Sequence, residues 1–200
     1  KFAKNPDEIW YVTDRGNEFN RLASLNLKTK KISYFTSAIP WEVSGYTLSK
    51  DKSKIAFETN ESGLNKLYLM DTNSKKYSEI KGLPVGLVNN FDFTDDGKSL
   101  FFSQSTYDSS ADIYRLDLAS GKIERWTDSE QGEMQKTDMS APILIEWKSF
   151  DGMKITGFYY PVSKKFTGKR PVLINIHGGP EGQSMASSLG SGNYYTNEMG

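Results

Sequence analysis

The residues best suited to chemistry are His177, Gly178, Gly179 and Pro180, in the stretch PVLINIHGGPEGQ from Pro171 to Gln183. They come after an apolar run, Val172 to Ile176, with the length and composition of a buried strand. Two glycines and a proline then turn the chain sharply and leave the main chain bare. Bare backbone at the end of a buried strand suits a partner that must approach closely. A plain structural turn is the competing reading.

Other constellations carry less. His177 is the sole histidine and there is no cysteine. A metal site would have to draw on scattered carboxylates, so none is expected. The segment GQSMA, Gly182 to Ala186, mimics a nucleophile elbow with alanine in its last place. An elbow needs its serine on a sharp turn from a strand directly into a helix. Ser184 lies downstream of the glycine turn and does not fit. DDGKS, Asp95 to Ser99, lacks the glycine of a phosphate loop, because Asp92 stands where it should be. The acidic turns at Asp51 and Asp95–Asp96 lack calcium-loop spacing and read as solvated hairpin ends.

Lysine plus arginine equals aspartate plus glutamate, 25 each, so no basic excess points to nucleic acid or an anionic membrane. No apolar run approaches the length of a membrane span. Aromatics make up 13% of the chain, as suits a β-rich protein. The absence of cysteine fits a reducing or an oxidising compartment, so cytoplasmic and periplasmic placement both stay open. There is no initiator methionine and no signal-peptide pattern, and both ends read as cut from a longer chain.

The elements that must position the glycine turn begin with a repeat. EIWYVTDRGNEFNRLASLNLKTKKISYFT recurs as KIAFETNESGLNKLYLMDTNSKKYSEI and as SLFFSQSTYDSSADIYRLDLASGKIERWT. Ile9, Ile55 and Leu100 are 46 and 45 residues apart; Leu22, Leu67 and Ile113 are 45 and 46 apart; Asn26, Asp71 and Asp117 keep the same step. Each unit holds three short strands, and VSGYTLS and VNNFDFT precede the later two as further strands. Four short strands per ~45 residues match a propeller blade. Asp96–Gly97 and Ser120–Gly121 suit tight hairpin turns.

Around Thr127 the pattern gives way to a polar connection, TDSEQGEMQKTDMSA. Two strands then flank Asp151–Gly152, a hairpin signal. The buried run from Val172 comes next, with a first helix expected from about Tyr194. The fold expected is mostly β: the last blades of a propeller over residues 1–137, then the start of an α/β sheet over residues 138–200.

A propeller followed by SFDGMKITGFYYP and KRPVLINIHGGPEGQ resembles the prolyl oligopeptidase family of serine peptidases. Its D-G-x-x-I-x-G-x-x-x-P pattern matches Asp151, Gly152, Ile155, Gly157 and Pro161, and its H-G-G-P pattern matches His177 to Pro180. The resemblance covers essentially the whole chain, and H-G-G-P favours the acylaminoacyl-peptidase and dipeptidyl-peptidase-like branch. It implies that residues 138–200 begin an α/β-hydrolase domain. It implies that Gly179, then Gly178, gives a backbone N–H to the oxyanion of a tetrahedral intermediate. His177 would brace that loop and Pro180 would stiffen it. The catalytic serine, histidine and aspartate would lie beyond Gly200, so the chain alone should be inactive. The implied partners are a short peptide substrate and the remainder of the same polypeptide, with no cofactor, no metal, no nucleic acid and no membrane; homo-oligomerisation stays open. Two other functions remain at this point: a propeller that only binds protein partners, and a carboxylic esterase on the same fold. Asp151 to Gln183 argues against the pure binding propeller, which has no use for it.

Overall fold

The structure is a computed structural model, and it describes every residue except Gln131, Met134, Pro180 and Glu181. Short strands with alternating burial succeed one another from the N-terminus. β1 (Glu8–Thr13), β2 (Arg21–Asn26) and β3 (Ile32–Tyr34) form a three-stranded sheet. β4 (Glu42–Leu48), β5 (Lys54–Glu61), β6 (Leu64–Asp71) and β7 (Tyr77–Glu79) form a four-stranded one. β8 (Gly86–Phe93), β9 (Ser99–Thr106), β10 (Ser109–Asp117) and β11 (Ile123–Arg125) form another. Within each sheet, strands adjacent in sequence pair antiparallel. These are the propeller blades the repeat predicts, the first with three strands.

The 45-residue period has a packing cause. Successive side chains of a strand point to opposite faces, so a blade between two others must be apolar on both. Ile55 and Phe57 of β5 and Met70 of β6 pack with Trp10 and Leu22 of the first sheet. Ala56 and Leu67, on the other face, pack with Val88, Leu100, Phe102 and Leu116 of the third. Thus Leu22 and Leu67 fill the forward seam of their blades, and Ile55 and Leu100 the rear one. Their counterpart Ile113 is partly exposed on the open forward face of the third sheet, beside Trp126.

The polar member of the repeat has a cause too. Asn26 Oδ1 accepts from the amides of Lys28 and Thr29. Asp71 Oδ1 accepts from the amides of Asn73 and Ser74, and Asp117 Oδ1 from that of Ser120. Each carboxamide or carboxylate closes a turn after the second strand of its unit. Lys30, Lys75 and Gly121 then take positive φ at equivalent places (60°, 61° and 71°).

Beyond β11 the chain is pinned before it leaves the blade. Asp112 of β10 is fully buried. It receives hydrogen bonds from Ser109 Oγ, Thr127 Oγ1 at 2.8 Å and the Ser129 amide at 2.8 Å, and pairs with Arg125 at 2.5 Å. Burial alone would raise the pKa of its carboxyl; the donors from Ser109, Thr127, Arg125 and Ser129 outweigh that and hold it well below the usual range.

β12 (Ile143–Lys148) and β13 (Lys154–Tyr159) form a separate hairpin, turning at Asp151–Gly152 with Gly152 at φ 85°. The expected buried strand over Val172–Ile176 does not form. The run has no ladder partner among the described residues, and Val172, Leu173, Ile174 and Ile176 are exposed. A strand is an exchange of backbone hydrogen bonds, and no described strand lies alongside to make it. No α/β sheet is therefore assembled among the described residues. The expected helix is a 3-10 turn at Gly190–Gly192 followed by a π-helical turn at Tyr195–Met199. No helix among the described residues is long and apolar enough to cross a membrane.

Candidate oxyanion loop and its support

His177, Gly178 and Gly179 are exposed, at the end of the extended run. Pro180 lies outside the described residues. His177 Nδ1 stands 3.1 Å from the Gly178 carbonyl oxygen, so the ring lies against its own loop. A Cβ added to Gly178 would meet nothing within 4 Å. Packing among the described residues therefore does not require glycine at Gly178. Among the described residues, neither Gly178 nor Gly179 gives its amide to a backbone acceptor. Two adjacent amides on bare backbone can donate to one anionic oxygen.

The crowded glycine is Gly182. A Cβ there would overlap the Gly178 carbonyl oxygen and come within 2.8 Å of His177 Nδ1. Gly182 thus allows the chain leaving the loop to fold back against its start.

The segment after Gly182 is held by a blade. Ser62 and Gly63, both at positive φ (57° and 83°), form the two-residue tip joining β5 to β6. The Gly63 carbonyl accepts from the Ala186 amide at 2.9 Å, and Asn60 Nδ2 donates to Gln183 Oε1 at 2.6 Å. Ala186 is fully buried. A Cβ on Gly63 would lie 2.7 Å from the Ser184 carbonyl oxygen and 2.8 Å from the Phe158 ring of β13. Tyr160, just after β13, donates its hydroxyl to the Ser187 carbonyl at 2.7 Å, and burial pushes its phenol pKa up.

The tip is stiffened from below. Glu61 accepts from Tyr68 Oη at 2.8 Å and Thr59 Oγ1 at 3.0 Å and pairs with Lys66 at 2.6 Å. Burial raises the Glu61 pKa, but the Lys66, Tyr68 and Thr59 donors outweigh it and leave it lowered. Asn60 Oδ1 also caps the Gly63 amide at 2.9 Å.

Ser184 sits in irregular backbone, with neither a strand before it nor a helix directly after it. Among the described residues no strand-turn-helix elbow forms around Ser184. Sequence reasoning singles out His177 to Gly179 as candidates and gives no role to Asn60, Gly63, Gly182 or Gln183, which the structure places around the segment that follows them. The pair Ser62–Gly63 is a legible turn signal; its contact more than 120 residues away is not.

No family profile and no curated protein sequence matches this chain. Solved structures do. A puromycin hydrolase matches over 98% of the chain at a TM-score of 0.81 with 17% identity. The fold is that of the prolyl oligopeptidases. A puromycin-hydrolyzing peptidase of Mycobacterium tuberculosis matches over 98% at 0.79 with 14% identity, and prolyl oligopeptidase B from Galerina marginata over 82% at 0.67 with 12% identity. The chain covers 31%, 31% and 24% of those proteins respectively. At these identities the likeness is one of fold, and it agrees with the prolyl oligopeptidase resemblance of the sequence motifs.

Proposed function

We propose that this chain is part of a serine peptidase of the prolyl oligopeptidase family. Residues 1–137 are the last blades of its propeller, and residues 138–200 begin its α/β-hydrolase domain. The observation that carries the proposal is a juxtaposition: a blade hairpin tip bonded to Gln183 and Ala186, a few residues downstream of an exposed H-G-G stretch, in a chain whose fold matches part of the prolyl oligopeptidases.

In this reading a serine elsewhere in the parent polypeptide attacks the peptide carbonyl. Its proton passes to a histidine oriented by an aspartate. The carbonyl oxygen becomes an anion, and the Gly179 amide, with Gly178 second, donates to it. One such donor is worth roughly 3–4 kcal/mol of transition-state stabilisation. The amine leaves with the proton, and water then hydrolyses the acyl-enzyme by the same steps. Substrates are short peptides, because the propeller limits access. The H-G-G-P form favours the acylaminoacyl- or dipeptidyl-peptidase type, and the puromycin-hydrolyzing neighbours make puromycin a sensible first substrate. The exposed apolar run Val172–Ile176 pairs with strands of the remaining polypeptide.

The test uses a fluorophosphonate that labels activated serines. The full-length parent should label and should hydrolyse aminoacyl or acyl-aminoacyl amides; residues 1–200 alone should do neither. A parent that does not label refutes the proposal. A parent that labels but hydrolyses only esters moves the assignment to esterase. Activity of residues 1–200 lost in Ser184→Ala would make Ser184 the nucleophile after all.

A further inference from the structure

We infer that the tip of the β5–β6 hairpin is a positioning element for the oxyanion loop, with Gly63 as its decisive residue. The inference rests on the peptidase reading above and adds to it a blade residue far from the reacting atoms.

The contacts run in one continuous path. The Gly63 carbonyl holds the Ala186 amide at 2.9 Å, and Asn60 holds Gln183 at 2.6 Å. Between those two anchors the Ser184 carbonyl passes so close to Gly63 that a Cβ would stand 2.7 Å from it. The chain just before the anchors, at Gly182, lies against Gly178 and His177 without room for a side chain. Fixing residues 183–186 therefore fixes Gly182, and Gly182 limits where the His177–Gly178 backbone can lie. The tip can act as a fixed post because Asn60 Oδ1 and the Glu61–Lys66–Tyr68 cluster hold it. Oxyanion stabilisation depends on donor placement at the scale of tenths of an ångström, whereas substrate binding depends on a wider surface. A displaced loop should therefore lower kcat more than it changes KM.

The substitution Gly63→Ala drives a Cβ into the Ser184 carbonyl and the Phe158 ring. It also places alanine at φ 83°, which strains any blade hairpin. The control for that strain is Gly97→Ala: Gly97 closes the β8–β9 turn at φ 65°, and its Cβ would meet nothing within 4 Å. Both variants carry the backbone strain, and only Gly63→Ala adds a collision that pushes on the loop. In the full-length parent, Gly63→Ala should lower kcat by about tenfold to a hundredfold, with KM within about twofold. Gly97→Ala should keep both values. Gln183→Ala, which strains no backbone, should lower kcat by about threefold, and Gln183→Asn should not rescue it, being too short to reach Asn60.

Hydrogen exchange of the Ala186 amide gives a readout independent of activity. It should quicken in Gly63→Ala and stay at the wild-type rate in Gly97→Ala. Equal kcat and equal Ala186 exchange in the two glycine variants would overturn the inference. Should Gly63→Ala fail to fold, wild-type kcat and exchange in Gln183→Ala would overturn it instead. A parent that neither labels with fluorophosphonate nor cleaves peptides defeats the peptidase reading, while Ala186 exchange still decides whether the hairpin holds the loop.

Discussion

The blades and the C-terminal region use similar apolar sequence to opposite effect. KIAF in β5 and VLINI before His177 are both short β-branched or aromatic runs, yet Ile55, Ala56 and Phe57 are buried while Val172, Leu173 and Ile174 are exposed. The difference is the neighbour. β5 has β4 and β6 to pair with and a sheet on each face; Val172–Ile176 has none of these among the described residues. Apolar content marks where a strand is wanted, and pairing partners decide whether it exists.

The contrast between the two regions should be sharpest under truncation. Phe57 stacks on Tyr68 at 5.0 Å and meets Tyr77 edge-on at 5.5 Å. Phe57→Ala in this chain should cost about 3–5 kcal/mol by urea denaturation. Ile174→Ala should change it by less than about 0.5 kcal/mol. A large cost at Ile174 would mean that the run is paired after all.

Asp112 pins the start of the polar connection to the third blade, so its loss should free that connection. Asp112→Ala leaves buried Ser109 and the partner Arg125 without their shared acceptor and should destabilise the third blade by about 3 kcal/mol. Proteolysis between Thr127 and Ser140 should accelerate at the same time. Unchanged cleavage would remove Asp112 from the role of anchor.

Glu58 offers a smaller, pH-dependent test of blade burial. It lies between Gly45 and Leu67 in the middle sheet, and burial pushes its pKa up to about 7. The folded state therefore holds the proton more tightly than the unfolded one. The stabilising contribution is complete below the usual carboxylate pKa near 4.5 and is lost as pH rises through about 7. With its partial exposure discounted, the loss is about 1–2 kcal/mol. Glu58→Gln should flatten that part of the stability profile; an unchanged slope would assign it to another group. The smallest effect is expected at Lys30, which holds φ 60° at the place where the third blade has Gly121. Lys30→Gly should cost nothing or stabilise by up to about 1 kcal/mol, measured as a melting shift.

These differences mirror what the sequence could disclose. Ile55 and Leu67 are legible as core because blade packing is periodic in the chain. Gly178 and Gly179 are legible because two glycines and a proline after an apolar run are locally unusual. The support of that loop is not: Gly63 and Ala186 meet through a backbone hydrogen bond, which leaves no side-chain signature. Asp112 is hidden because a carboxylate in SADIYRLD reads as the outward member of an alternating strand, and only the folded register brings Arg125, Thr127 and Ser129 to it. The strand expected at Val172–Ile176 does not appear because a ladder is a property of two segments, and the sequence of one cannot supply the other.

The central claim is that the H-G-G turn stabilises an oxyanion through the Gly179 amide. Its most direct test is the turnover of a small aminoacyl amide by full-length Gly179→Val beside the wild type. The added side chain crowds the substrate carbonyl and tilts the donor, so kcat should fall by about a hundredfold to a thousandfold, with an unchanged melting temperature. Wild-type turnover in the folded variant would contradict the claim and remove Gly179 from the mechanism.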